Sequence, residues 1–215
     1  MAEFSDDEVA ELTGLPINML TPEVRDAILS LLRDKATLIE EVAFRKQREA
    51  ELERLADEDS LVPISNRRSF MRELSRAIRC IERYGTPGSV LYFDLNNLKR
   101  INDTLGHAAG DAALKHIAEL LLRHLRASDV FARLGGDEFA VLLMWADLET
   151  ARSKAEALAE LVRSRPLEWE GQKITLELAH GAYAFAPGES AEAVVQAADS
   201  EMYARKRAMK ATDTV

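Results

Sequence analysis

Cysteine is nearly missing from this chain: its 215 residues include only Cys80. An internal disulfide is therefore excluded, and so is a metal centre built on cysteines. Cys80 falls in a helical pattern with Phe70, Leu74, Ile78 and Ile81, which gives it the role of a small buried hydrophobe. No uninterrupted apolar run reaches membrane-spanning length, so membrane insertion is not expected. Positive charge is also in short supply. Against 37 Asp and Glu stand 28 Lys and Arg, and the net charge of −9 excludes a general binder of nucleic acid or anionic membranes. Met1 to Asp7 lack the basic start of a signal peptide, and the expectation is a soluble cytoplasmic protein. Internal repeats and low-complexity segments are absent as well.

What is present can fold. At 47% hydrophobic the chain can bury a substantial core, and its length suits one main domain plus an extension. Residues 4–14 read as a short helix: Ser5 and Glu8 have capping-box spacing, Phe4 and Val9 suit a hydrophobic staple, and Gly14 ends it. Thr21 then caps, and Pro22 opens, a second helix that meets no Gly or Pro before about Asp57. Leu31, Leu38 and Leu52 share a seven-residue frame within it, although Arg45 fills the missing slot. A narrow apolar stripe on a charged helix favours a coiled-coil dimer stalk over a helix lying along its own domain. The expected organisation is a short helical segment over residues 1–20, a stalk over 21–58 and a globular domain over 59–215.

In that domain, residues 66–84 read as a helix ended by Tyr84-Gly85-Thr86-Pro87-Gly88, followed by an apolar strand from Ser89 to Phe93. Then come a helix over 107–126, a hairpin over 129–144, an amphipathic helix over 147–164, strand-like residues 173–185 and a last helix from Ala191 to Met209. This alternation of helices with paired antiparallel strands predicts an α+β sandwich rather than a purely parallel sheet. Trp145 and Trp169 read as a loop anchor and a strand-edge residue.

The chemistry concentrates in Arg133-Leu134-Gly135-Gly136-Asp137-Glu138-Phe139. A Gly-Gly pair between apolar runs reads as a tight hairpin, since primed turns need positive φ. It would hold Asp137 and Glu138 at a rigid strand start. Asp94 ends the strand Val90-Leu91-Tyr92-Phe93-Asp94, and beside that hairpin it could complete an oxygen-ligand site for Mg²⁺. Taken alone, Asp94 could equally cap the next helix, as could Asn96 or Asn97. Downstream, Asn102 offers an amide and Asp111 a carboxylate, a pair suited to the donor and acceptor edges of guanine. Turn and N-cap roles remain the competing reading for both.

These motifs together resemble the GGDEF family, the diguanylate cyclases. The resemblance covers residues 59 to about 211 and rests on Gly135-Gly136-Asp137-Glu138-Phe139 and on Asp94, Lys99, Ile101-Asn102-Asp103, Gly106-His107 and Gly110-Asp111 at the family's spacing. Asn66-Arg67-Arg68 matches the family's opening motif, and Ala198-Asp199, Met202-Tyr203 and Lys206 its closing helix. The chain departs from the usual pattern at Asn96 and Leu98, at Val62-Pro63-Ile64-Ser65, at Ala179-His180 and at Met209-Lys210-Ala211.

The resemblance implies a nucleotidyl-cyclase-like sandwich with a central mixed, mainly antiparallel sheet behind the long helix. It implies that two GTP condense into cyclic di-GMP and two pyrophosphates, with one GTP held by each domain of a homodimer. Asp94, the Leu95 carbonyl and Asp137 would hold Mg²⁺, with Mn²⁺ as a substitute. Asp137 would also act as base toward the ribose 3′-hydroxyl, supported by Glu138, while Lys99 would stabilise charge on the transferring phosphate. Asn102 and Asp111 would read guanine with His107 nearby, and Lys206 and Lys210 would hold the terminal phosphates. Arg126-Ala127-Ser128-Asp129 stands where the family's RxxD site binds product and inhibits; as a bare pattern it could be a helix-terminal ion pair. The competing function is an inactive receptor for cyclic di-GMP or GTP that signals through the stalk.

Overall fold

The computed structural model describes residues 10, 11, 14, 16 and 21–212 of the chain. The caps expected for a first short helix, Ser5, Glu8, Phe4 and Val9, lie outside the described residues. The chain divides into two compact units, residues 1–54 and 55–215.

Helix α1 runs Pro22–Asp57. Thr21 opens it as anticipated, its hydroxyl accepting the Val24 N–H at 3.4 Å. Leu31, Leu38, Ile39, Val42 and Phe44 are all at least half exposed along it. This helix carries apolar side chains that its own unit leaves uncovered.

The second unit is built on a five-stranded sheet, with β1 at Ser65–Asn66, β2 at Gly88–Leu95, β3 at Val130–Gly135, β4 at Glu138–Met144 and β7 at Leu178–Ala184. Their order is β1-β3-β4-β2-β7. Only β1 and β3 run parallel; every other pair in this sheet is antiparallel. The expected mixed, mainly antiparallel sheet is therefore present. Strand β2 lies between two partners and is covered on both faces, which explains its nearly continuous apolar sequence.

Helices cover both faces. On one side α4 (His107–Leu122) and α5 (Leu148–Ser164) pack on Leu91, Phe93, Leu95, Phe139 and Val141. On the other, α2 (Arg67–Tyr84) and α6 (Ala191–Thr212) pack on Val90, Tyr92, Ala140 and Leu142. The alternation along β2 and β4 separates these two cores. Asn66 starts α2 by accepting the Ser69 N–H, while its own amide donates to the Ala56 and Glu58 carbonyls. Gly85 ends α2 in the left-handed region, φ 67°. Cys80 is only half-buried on α2, because it stands off the Phe70-Leu74-Ile81 face that fills the core.

Three further differences from the sequence reading matter. The polar stretch after Asp94 contains a separate helix, α3 (Leu98–Leu105), entered through Asn97 with φ 62°. Helix α4 ends at Leu122, not 126, because the chain must turn before β3. The strand-like run 173–185 breaks in two: Gln172–Ile174 (β6) pairs with Leu167–Trp169 (β5) in a separate ribbon, and only Leu178–Ala184 joins the main sheet.

Candidate functional site

The turn between β3 and β4 places the acidic pair. Gly135 pairs with Glu138, so the two turn residues are Gly136 and Asp137 rather than the two glycines. The ladder slips between Arg133 and Gly135, and this irregularity draws Gly135 into the strand end with φ 155°. Gly136, with φ 46°, supplies the positive backbone angle that the turn needs. Arg133 fastens the loop from below: its Nε and Nη2 donate to the Gly136 carbonyl at 3.0 and 2.7 Å. Its Nη1 pairs with Asp59 Oδ1 at 3.0 Å, and both side chains are largely buried. Asp59 Oδ1 also accepts the N–H groups of Leu61 and Val62, so the loop leading into the domain and the hairpin share one anchor.

Asp94 lies directly opposite Glu138 in the β2–β4 ladder, and residues paired in this way point to the same face. Asp137 sits alongside, its carbonyl accepting the Leu95 N–H at 3.0 Å. Two carboxylates about 5 Å apart at the Cβ atoms repel each other unless a cation lies between them. Lys206 of α6 pairs with the first of them, its Nζ standing 2.5 Å from Asp94 Oδ1. Asp94 is therefore no helix cap. Asn97 occupies the cap position of α3 but makes no side-chain capping bond.

Tyr92 belongs to the same face, two residues before Asp94. It is almost wholly buried. Burial pushes its phenol above the usual range, and a hydrogen bond with Glu138 and that carboxylate's charge act in the same direction. The neutral hydroxyl thus donates to Glu138 and steadies it. Sequence reasoning missed Tyr92, although the two-residue period of β2 could have pointed to it. It also missed Asp59.

The other expected residues fall into groups. Asn102, on α3, rests against Gly110 of α4, whose Cα leaves room for the Asn102 amide; Asp111 follows on the next residue and is exposed. Lys99 is exposed in the first turn of α3, and His107 is exposed at the first residue of α4. Asn102 thus lies against the residue that precedes Asp111. Lys206 pairs with the Asp94 carboxylate. The Lys210 side chain lies outside the described residues.

The donor set suits a hard divalent cation. Among the described residues no cluster of three or more His, Cys, Asp or Glu could hold a metal by itself. Mg²⁺ asks for less, taking one or two carboxylates and drawing its remaining oxygens from water and substrate phosphates. Asp94, near the end of β2, and Asp137, in the adjoining β3–β4 turn, fit that demand.

Arg126 and Asp129 form a tight turn on another surface of the domain. Asp129 Oδ2 accepts the Arg126 backbone N–H at 2.9 Å, and Lys154 Nζ lies 4.0 Å from the same oxygen. The carboxylate therefore closes the turn, and the Arg126 side chain is exposed. Both residues line a cleft of about 530 Å³ with Glu58, Ser65, Glu73 and Leu125.

A family model described as "Diguanylate cyclase, GGDEF domain" matches residues 56–212. Curated relatives include the diguanylate cyclase DgcP of Pseudomonas aeruginosa, 37% identical over 150 residues, which are 70% of this chain and 22% of that protein. The diguanylate cyclase TpbB of the same species is 36% identical over 194 residues, 86% of this chain and 44% of that protein. The chain thus spans less than half the length of either relative. Among solved structures, the coiled coil and GGDEF domain of DgcB from Caulobacter crescentus, in complex with c-di-GMP, superimposes with a TM-score of 0.77 at 29% identity. That match covers 83% of this chain and 95% of the other. A signature hairpin with its opposed carboxylates, a mixed sheet and a family match over most of the chain lead to one assignment: this protein belongs to the GGDEF-domain diguanylate cyclase family.

Proposed function

We propose that the protein condenses two GTP into cyclic di-GMP with release of two pyrophosphates. The reading is carried by the opposition of Asp94 and Glu138 beside Asp137, with the Lys206 ammonium on Asp94. Asp94, Asp137 and the Leu95 carbonyl would hold Mg²⁺ or Mn²⁺, which when bound polarises the α-phosphate and acidifies the attacking hydroxyl.

The remaining roles belong to the chain. Asp137 accepts the proton of the ribose 3′-hydroxyl, and Glu138, steadied by Tyr92, sets the local charge. Asn102 and Asp111 meet the guanine edge and His107 flanks it. Lys99, Lys206 and Lys210 gather the phosphates, a local basic cluster in an acidic chain. Each 3′-hydroxyl attacks the α-phosphate held by a second domain, so one chain carries half a site. The exposed apolar side chains of α1 suit a homodimeric stalk that makes this encounter intramolecular.

The Arg126–Asp129 cleft suits feedback inhibition by product, the exposed guanidinium taking a phosphate or a guanine edge. The same cleft would serve a receptor without turnover, the second reading. One experiment separates them. Purified protein is incubated with GTP and Mg²⁺, products are resolved by chromatography and mass spectrometry, and product binding is measured by calorimetry. Cyclic di-GMP formation that falls at least a hundredfold in Asp94→Asn and Asp137→Asn supports the cyclase, on the order of what removing a group that stabilises the transition state costs. Product binding with no turnover at any protein concentration would leave the receptor.

A further inference from the structure

The Lys206 ammonium and a divalent cation have claims on the same atom. Lys206 Nζ stands 2.5 Å from Asp94 Oδ1, with both side chains mostly shielded from water. Mg²⁺ would approach a carboxylate oxygen to about 2.0–2.1 Å. A single positive charge and a double one, both within about 2.5 Å of one oxygen, repel strongly where solvent screening is reduced.

Helix α6 is held so that Lys206 can move without it. Gly181 of β7 packs against the backbone of Ala198 and Met202, with no side chain between strand and helix. Nearer the site, Arg205 pairs with Glu156 of α5 at 2.9 Å. The close strand–helix contact thus fixes the backbone of α6 as far as Met202, one turn before Lys206, and the Arg205–Glu156 pair is a surface contact beside it. What remains free is the four-carbon stem of Lys206, which can carry its ammonium over several ångströms.

We propose that Lys206 is a built-in competitor of the metal, holding Asp94 until a triphosphate draws the ammonium away. Divalent-cation binding then becomes conditional on nucleotide. This rests on the reading of Asp94 as a metal carboxylate and adds an order of events to it. The phosphates take over Lys206, and the freed carboxylate takes the cation. By linkage, nucleotide raises cation affinity by the factor by which the cation raises nucleotide affinity. The device guards against futile occupancy. A cation without substrate meets a neutralised carboxylate, while substrate unmasks the charge it needs.

The test is Mn²⁺ binding to the full chain, followed by the paramagnetic resonance of the free ion. Wild type, Lys206→Met, Lys206→Arg and Asp94→Asn are each titrated with and without a non-reacting α,β-methylene analogue of GTP. Circular dichroism first establishes that each variant is folded. Without nucleotide, Lys206→Met binds Mn²⁺ on the order of five- to fiftyfold more tightly than wild type, within the ordinary span of coupling between sites. Lys206→Arg, which keeps the charge, stays weak. With the analogue present, the advantage of Lys206→Met vanishes or reverses. Equal nucleotide-free affinity in wild type and Lys206→Met overturns the competition while leaving the metal centre intact. Mn²⁺ binding that ignores Asp94→Asn in every arm overturns the metal centre and the competition together.

Discussion

The carboxamide oxygen of Asn102 occupies the place where a side chain on Gly110 would begin, 1.9 Å from the position of an ideal Cβ there. Gly110 has an ordinary helical φ, so the glycine answers a need for space and not for backbone freedom. Gly110→Ala should displace the Asn102 amide, the flexible end of a side chain, without unfolding the protein. Helix α4 gains intrinsic stability from alanine, up to about 1 kcal/mol, which offsets the displacement. The expected result is a melting temperature within a few degrees of wild type and a KM for GTP raised roughly tenfold, the worth of one hydrogen bond to the base. Unchanged KM would remove Asn102 from the guanine site.

Arg133 makes two kinds of contact, and its variants should separate them. Arg133→Ala loses both bonds to the Gly136 carbonyl and the pair with Asp59, and should cost about 1–3 kcal/mol of stability. Asp59→Asn keeps an oxygen for the Leu61 and Val62 N–H groups and should cost less, on the order of 1 kcal/mol. Urea unfolding measures both. Equal losses would mean that the lead-in loop, and not the hairpin, carries the stabilisation.

His180 gives the stability a pH dependence of known sign. It is buried on β7, its Nε2 3.4 Å from Glu156 Oε2 and its Nδ1 without a partner among the described residues. Burial lowers its pKa below the ordinary 6.5, Arg205 adds to the effect and Glu156 opposes it, while the Phe93 ring offers no charge. The unfolded chain therefore takes up a proton before the folded one does. Stability from this group is complete above pH 6.5 and is lost as pH falls from there through the folded value. His180→Leu removes this slope and the unpaired nitrogen. Urea unfolding between pH 5 and 7 should show the variant gaining on wild type as pH drops; parallel curves would count against this account.

The proposed stalk is open to a direct test. Leu31 and Leu38 are 67% and 58% exposed on α1 and share its seven-residue frame. Leu31→Glu with Leu38→Glu should convert the dimer to a monomer in analytical ultracentrifugation. Turnover at micromolar protein should fall at least tenfold, because local concentrations set by a tether are on the order of millimolar. A double variant that stays dimeric would place the interface elsewhere.

Part of the candidate site was readable from the chain alone, because Asp94 and Glu138 sit at strand ends where local rules apply. The apolar run from Val90 identifies a strand buried on both faces, and its interruption at Asp94 marks a charge at the sheet's margin. The glycine pair signalled a turn, but not which residues would form it. That depended on the slipped ladder at Leu134, which is decided by packing across the sheet. The break before β7 was hidden for a similar reason: residues 173–185 are strand-forming throughout, and only their pairing partners divide them. Least legible was Lys206 on Asp94, 112 residues apart in sequence. A lysine at that spacing suggests a phosphate ligand, and only the seating of the last helix on β7 shows that it also reaches the Asp94 carboxylate.

That seating depends on an atom the chain omits. A Cβ at position 181 would lie 2.4 Å from both the Ala198 carbonyl oxygen and the Met202 nitrogen, main-chain atoms that no rotamer change can move aside. One methyl group at that point would act as a wedge beneath the closing helix, tilting its far end and carrying the Lys206 ammonium off its mark. Chemistry at the hairpin is thus exposed to damage from a residue that touches no substrate.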